Sequence, residues 1–438
     1  MSQWKKVKIG DFLTEREGRF KPNDKVIAKS QRLDKIDFSG TIHLSNKPTK
    51  TDMILVQPGD LVISGINVAK GAITVYQGDE PVCATIHYSA YTFDCKKVDF
   101  DYFKFFVKSP AFVDVLKQQV KGGIKTEIKP KHFLPLEISI PDLQTQKQIV
   151  KELSTKIANI TELTNEIEKQ KTYAKQLRAN ILQDAIEGKL TADWREKHPV
   201  KKGDPDYDAE ALFEKIQTEK QEKGKKQKPL PAITEAEKPF AIPTGWKWVR
   251  LGDVCDGFMY GTSAKSSNEG KCPVLRMGNI QNGKIDWEKL VFTNNDEEIQ
   301  KYELKKFDLL FNRTNSREMV GKTAIFESEQ KTIYAGYLVR FRPILSNPYF
   351  INDVLNSKTH REWCNEVKVD ALGQSNINAE KLKNFITPLP PFAEQKEIVA
   401  RVEKHLETIT QLETQIATRE TLTKQLMQGL LKDAFEEK

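Results

Sequence analysis

Arg313-Thr-Asn315-Ser-Arg317 places two guanidiniums and a carboxamide within five residues. A guanidinium donates two parallel hydrogen bonds to the acceptor pair on guanine's major-groove edge, and a carboxamide matches adenine in the same way. Two other clusters carry this chemistry. Arg276, Asn279, Gln281 and Asn282 surround Gly278 and Gly283, and Gln374, Ser375, Asn376 and Asn378 follow Gly373. The first half of the chain has more cationic counterparts. Asn67 and Lys70 follow Gly65, while Lys121, Lys125, Thr126 and Lys129 flank Gly122-Gly123. Arg16, Arg19, Lys21 and Arg32 add charge near the start. Any one of these is an ordinary polar loop. Their recurrence at corresponding places in two halves tilts the reading toward DNA.

Catalytic motifs fail in informative ways. Gly278-Asn-Ile-Gln-Asn-Gly283-Lys284 has the Gly and Lys spacing of a phosphate-binding loop, but Ile285 stands where a hydroxyl must hold magnesium. Leu389-Pro-Pro-Phe392 is similar to the amine-binding tetrapeptide of adenine methyltransferases, with Leu389 in place of the essential amide or carboxylate. Glu366-Val-Lys368 has a nuclease-like spacing that arises often by chance. His43, His87, His132, His198, His360 and His405 are scattered, with no i, i+4 histidine pair, and read as surface or packing residues. Cys83, Cys95, Cys255, Cys272 and Cys364 form no C-x-x-C pair, which argues against a zinc site or a disulfide framework and for a reducing, cytoplasmic setting.

The net charge of +8 over 438 residues permits a nucleic-acid partner without demanding one. No apolar run approaches the roughly 20 residues of a membrane span, and Met1-Ser-Gln-Trp-Lys-Lys lacks the apolar stretch of a secretory signal.

The elements that must position the clusters are duplicated. Trp4-Lys-Lys-Val-Lys-Ile-Gly-Asp11 returns as Trp246-Lys-Trp-Val-Arg-Leu-Gly-Asp253, and Ile140-Pro-Asp-Leu-Gln-Thr-Gln-Lys-Gln-Ile-Val150 as Leu389-Pro-Pro-Phe-Ala-Glu-Gln-Lys-Glu-Ile-Val399. The second shift, 249 residues, is far longer than a solenoid repeat and suits a whole module. Each module opens with short β-branched runs (52–56, 60–64 and 72–76; 307–311, 323–326 and 337–341). A helical stretch follows, 100–120 in the first copy.

Each module then ends in a long helix with heptad spacing. Leu153, Ile160, Ile167, Ala174 and Ile181 fall at sevens, with Ile149, Leu163 and Leu177 interleaved. Val402, Ile409, Ile416, Thr423 and Leu430 repeat the spacing, with Ile398, Leu412 and Leu426 interleaved. The interruptions match too: Lys156 with His405, Gln170 with Arg419, Asp184 with Asp433. Each helix could pack on its own domain, but so long a seam favours pairing of the two. Residues 191–240 read as a Lys-rich linker with a helix over 208–223 that has one weak apolar edge, Leu212, Phe213 and Ile216.

With these residues assembled, the chain resembles the specificity subunits of type I restriction-modification systems over essentially its whole length. The most specific part is Leu389-Pro-Pro-Phe-Ala-Glu-Gln-Lys-Glu-Ile-Val399, opening a helix that ends Lys424-Gln-Leu and Leu431-Lys-Asp-Ala-Phe435. The first copy is looser, with Asp142 for the second proline and Thr145 for the glutamate. Gly188-Lys-Leu-Thr-Ala-Asp-Trp-Arg195 and Pro243-Thr-Gly-Trp246 through Asp253 fit the same family.

The resemblance implies an α+β chain. Two similar β-rich target-recognition domains, 1–142 and 241–391, are joined by two conserved helices, 143–190 and 392–438, with the linker 191–240 between. The helices would form an antiparallel coiled coil with pseudo-two-fold symmetry. A helix over 143–188 is roughly 70 Å long, a ruler that sets the gap between two half-sites. It further implies a non-catalytic reader of an asymmetric, bipartite DNA target. Two methyltransferase subunits would dock on it and two restriction-translocase subunits would join. S-adenosylmethionine, ATP and magnesium would belong to those partners, with no cofactor or metal on this chain. The recognition domains vary within the family, so the base-reading residues rest on residue chemistry alone. Two alternatives stay open: a specificity subunit serving a fused methylase-nuclease, and a DNA-binding scaffold without sequence preference.

Overall fold

A computed structural model describes residues 4–38, 40–67, 72–119, 129–222, 229–371 and 373–436. The chain divides into two compact units, 1–169 with 416–438, and 170–415.

In the first unit, β1 (Lys5–Lys8) pairs antiparallel with β10 (Glu137–Ile140), closing the two ends of the module on each other. One antiparallel sheet has the order β2 (Leu13–Glu15), β9 (Tyr88–Phe93), β6 (Leu61–Ser64), β7 (Ile73–Val75). A second has the order β4 (Ile42–Ser45), β3 (Arg32–Ile36), β8 (Val82–Thr85), β5 (Met53–Val56), with β3 and β8 parallel. All four residues of β6 are buried, because its alternating side chains feed two cores. Leu61 and Ile63 join the core shared with the helices, and Val62 joins the core between the sheets.

The helical stretch expected over 100–120 is two helices, α1 (Phe100–Phe106) and α2 (Pro110–Gln119). Pro110 cannot donate to a preceding turn, so α1 ends before it. The Ser109 hydroxyl donates to the Phe106 carbonyl at 2.7 Å and accepts from the Phe112 amide at 3.3 Å. A short helix, α3 (Pro130–Phe133), leads into β10.

The second unit repeats this plan. β11 (Lys247–Arg250) pairs with β24 (Ile386–Leu389). The main sheet runs β12 (Cys255–Tyr260), β21 (Leu338–Pro343), β17 (Leu309–Asn312), β19 (Thr323–Ile325), the same order as in the first unit. Strand β17 again divides its residues, Leu309 and Phe311 to one core and Leu310 to another. A smaller sheet has β13 (Cys272–Leu275) between β16 (Val291–Thr293) and β20 (Ile333–Tyr334). Added pieces are the hairpin β14 (Ile280–Gln281) and β15 (Lys284–Ile285), and a sheet of β18 (Thr314–Asn315), β23 (Gln374–Asn376) and β22 (Val369–Ala371).

Two long helices, α4 (Leu143–Ile186) and α12 (Phe392–Phe435), have 44 residues each. In the first unit Ile149, Leu153 and Ile157 share a core with Leu430, Leu431 and Phe435. In the second, Ile181, Leu182 and Ala185 share one with Ile398, Val402 and Leu406. There Arg178 donates to Glu413 at 3.2 Å. Partners fall in number on α12 as they rise on α4, so the pairing is antiparallel.

The heptad rows are not equal. Leu153, Ile160, Ile167, Ala174, Val402, Ile409 and Ile416 are buried. Leu163, Leu177, Leu412 and Leu426, expected at the interface, are 42–55% exposed. Their row alternates with Lys156, Gln170 and Asp184 on α4 and with His405, Arg419 and Asp433 on α12. Sealing it would strip water from those polar groups, which costs more than the leucines gain.

One contact fixes each module to its helix in the same way. The Gln146 side chain, fully buried in the first turn of α4, accepts from the Asp99 amide at 2.7 Å and donates to the Pro141 carbonyl at 2.8 Å. Gln395, equally buried, accepts from the Asn347 amide and donates to the Pro390 carbonyl, both at 2.8 Å. Asp99 caps α1, and Asn347 caps the equivalent α9 (Pro348–Val354).

Parts of the segment expected as a polar linker are tied to the second unit. Its helix, α6 (Ala209–Glu222), buries Leu212 and Ile216 in the main core of the second unit. Arg250, buried at the end of β11, donates to the Pro231, Ala232 and Asn384 carbonyls and to Glu237. The corresponding residue of the first unit is Lys8, which is exposed.

Candidate nucleic-acid interface

Two of the polar clusters, some 60 residues apart in sequence, meet in one small sheet. Strand β18 pairs with β23, placing Thr314 opposite Asn376 and Asn315 opposite Ser375, and β22 completes the sheet. The backbone holds Arg313 from both sides: its amide donates to the Tyr337 carbonyl at 3.0 Å and its carbonyl accepts from the Ile377 amide at 2.9 Å. The Arg313 guanidinium donates to the Asn376 side-chain oxygen at 3.4 Å, and the Asn376 amide donates to the Thr314 hydroxyl at 2.7 Å. Arg317, largely exposed, pairs with Asp370 at 2.8 Å. The Ser375 hydroxyl, and then Arg317, hold the Asp370 carboxyl below its usual range. Gln374 is exposed beside them.

Cations gather behind this sheet. Lys368 donates to the Arg317 carbonyl at 3.2 Å, Arg361 donates to the Val320 carbonyl at 2.5 Å, and Lys322 donates to Gln281 at 2.9 Å. Burial, and then the charge of Arg361, push the Lys322 ammonium below its usual range. The face therefore offers planar donors within a positive field, which suits a polyanion whose edges carry acceptor pairs.

Other candidates have structural duties. Asn279 is buried, accepting from the Arg276 amide at 2.9 Å and donating to the Asp286 and Glu288 carbonyls. Asn282, at φ +49°, and Gly283, at φ +78°, form the turn between β14 and β15. That turn needs left-handed backbone at both central residues, so the spacing that resembles a phosphate loop belongs to a hairpin. Arg276 donates to the Lys289 carbonyl, and Gln281 to the Gly278 carbonyl. Asn378 caps α11 (Ala379–Asn384) by accepting from the Lys381 amide, and Asn315 accepts from the Ser316 amide.

In the first unit, Arg16 forms a two-pronged pair with the buried carboxylate of Asp60 at 2.6 and 2.7 Å. Arg32 pairs with Asp34 and donates to the Pro48 carbonyl, and exposed Lys21 pairs with Asp52 at 3.3 Å. Arg19 and Lys129 are exposed, and Asn67 is half-buried at the turn after β6. Lys70, Lys121, Lys125 and Thr126 lie outside the described residues.

No catalytic arrangement stands out among the described residues. Leu389 is buried in β24, and no group of His, Cys, Asp and Glu suited to a metal occurs among the described residues. His360 packs against Phe311, Trp363 and Phe385, and burial pushes its pKa down to about 3. Cys364 lies 3.5 Å from it, one turn along α10 (Lys358–Val367), and burial pushes the thiol up to about 12. A neutral imidazole beside an un-ionised thiol in a sealed core is packing.

Sequence reasoning missed Tyr260, whose ring carries the Arg313 guanidinium at 4.5 Å from its centroid. Nothing in its local sequence marks it, because strand pairing alone brings it to the loop. It also missed Glu394, although the residue lies in the most specific motif. The buried Glu394 carboxylate accepts from Thr191, Arg195 and the Trp246 indole at 2.6–2.7 Å.

Known proteins have related sequences. The type I restriction enzyme EcoEI specificity subunit of Escherichia coli is 27% identical over 282 residues, covering 62% of this chain and 47% of the relative. The EcoKI specificity subunit of Escherichia coli strain K12 is 26% identical over 336 residues, covering 75% of this chain and 63% of the relative. The chain thus spans between about half and two-thirds of the length of these relatives. A solved chain from work on complex assembly and conformational transition of the type I R-M system shares the fold, with a TM-score of 0.60 over 99% of this chain and 97% of that one at 17% identity. Residues 1–171 and 243–419 match the type I restriction modification DNA specificity domain. Those two segments are the two duplicated halves and most of their helices, and the chain belongs to the type I restriction-modification DNA specificity family.

Proposed function

We propose that this chain is the sequence-reading subunit of a type I restriction-modification complex, non-catalytic in itself, acting in the cytoplasm where its DNA lies. Each recognition domain, 1–142 and 241–391, reads one half of an asymmetric bipartite target. The helices hold the two domains and give methyltransferase subunits, and through them restriction-translocase subunits, a place to dock. S-adenosylmethionine, ATP and magnesium act on those partners. The observation that carries this reading is the joining of the 313–317 and 374–376 clusters in one sheet above a duplicated core. A strand-borne loop is a rigid presenter of planar donors, which base reading requires.

The test is binding of Arg313→Ala and Arg317→Ala proteins to every single-base variant of the cognate duplex at two salt concentrations. The cognate sequence comes from methylome sequencing of a host carrying the chain and its methyltransferase. Truncating a base-reading side chain to Ala costs about 1–3 kcal/mol and relaxes one position of the target. Truncating a phosphate-binding side chain instead weakens all sequences alike and lowers the salt slope by about one. Unchanged affinity and preference in both variants would remove this sheet from the interface.

A further inference from the structure

Arg313 is restrained beyond what folding of its strand requires. Its backbone is bonded on both sides, its guanidinium lies over the Tyr260 ring at 4.5 Å, and one edge leans on Asn376 at 3.4 Å. Its Nε is buried without a hydrogen-bond partner among the described residues. Tyr260 is held in turn. Its backbone pairs with Val339 in β21, and its hydroxyl accepts from the Ala379 amide at 3.0 Å, at the first residue of α11. Tyr260 is 41% exposed, so the stack reaches the surface and is not inside the core.

A free arginine has many rotamers, and ordering it on binding subtracts from both affinity and discrimination. A guanidinium laid flat on a fixed aromatic face keeps its plane and charge while its in-plane donors stay available. We infer that Tyr260 is a positioning residue for Arg313, fixing the plane of the guanidinium so that it meets the paired acceptors on the major-groove edge of a guanine. The inference rests on the assignment of this sheet as a DNA-reading face. It adds that the discrimination Arg313 supplies depends on a ring 53 residues earlier in the chain. Asn376 serves as a second stop: its oxygen holds one edge of the guanidinium while Thr314 holds its amide.

The experiment uses the full chain with its methyltransferase partners and the set of single-base variants of the cognate duplex. Four proteins are compared with the parent: Arg313→Ala, Tyr260→Leu, Tyr260→Phe and the Arg313→Ala/Tyr260→Leu double variant. Leu keeps apolar bulk without a π face, and Phe keeps the face without the hydroxyl. Arg313→Ala should lower discrimination at one G·C position by roughly five- to hundredfold. Tyr260→Leu should relax the same position by roughly three- to thirtyfold with the salt slope unchanged. Tyr260→Phe should keep most of the discrimination, and the double variant should be no worse than Arg313→Ala alone.

Three outcomes would overturn the inference: no relaxation in Tyr260→Leu where Arg313→Ala relaxes the site, losses that add in the double variant, or equal weakening of all sequences by Tyr260→Leu. If Arg313→Ala leaves every preference unchanged, Arg313 is not a base reader and the inference fails; the assignment of the sheet fails as well only if Arg317→Ala also leaves affinity and preference unchanged.

Discussion

Asn376 and Asn279 carry the same amide, yet one is half-buried in the central strand of a small polar sheet and the other is buried, holding three backbone groups of its own loop. Residue type singled out Arg313 and Asn376, which the strands bring together, and equally Asn279, which they do not. It could not tell a reader from a brace, because a carboxamide bonds to backbone as readily as to a base. Glu394 presents the converse case: its motif was conspicuous, but Thr191 and Arg195 come from the short helical stretch after α4, some 200 residues away, and Trp246 from just before β11, some 150 residues away. Asp353 of α9 gives a test at this scale. Burial, and then the charge of Glu403, push its carboxyl up to about 8. The folded state then holds a proton that the unfolded chain has already lost above pH 4, so this group's contribution to stability is full below about pH 4 and is lost as pH rises toward 8. Asp353→Asn should leave the melting temperature at pH 3.5 nearly unchanged and raise it at pH 8. Equal shifts at the two values would show that Asp353 is ionised throughout.

The continuous apolar runs of β6 and β17 predicted strands, and the structure supplies the reason: each strand has a core on both faces. Helix breaks at proline were legible in principle from Ser109-Pro110. The weak apolar edge of α6 understated its burial, because Leu212 and Ile216 meet a core built mostly from distant segments. The long helices were legible almost to their ends and their pairing from matched heptads, while the antiparallel direction came with the family resemblance. What the heptads overstated was the width of the seam, since the interleaved row carries polar residues at every second place. The two rows should answer differently to truncation. Ile160→Ala, in the buried row, should cost about 2–4 kcal/mol by urea denaturation, as for other buried isoleucines. Leu163→Ala, about half exposed, should cost about 1 kcal/mol or less. The reverse ranking would mean that the interleaved row is the closed one.

The repeat of strand order, helix order and helix length shows that one module was written twice, and that much was visible in the sequence because the shift stays near 249 residues through the second motif and the heptads. The clusters that differ between copies are those outside the shared core, which is where two readers of different sequences would differ. Replacing residues 1–142 with the matching module of another family member should change one half of the methylated sequence and spare the other, read by methylome sequencing. A change in both halves would show that the modules do not read separately. The buried glutamines add a consequence for inheritance. Gln146 and Gln395 make the same two bonds, to the cap of the first module helix and to a proline carbonyl just before the long helix. A crossover in the gene between the proline and glutamine codons would deliver a foreign reader whose cap amide meets a socket already in place. On the proposed reading, exchange of whole cassettes would change specificity while keeping this joint intact.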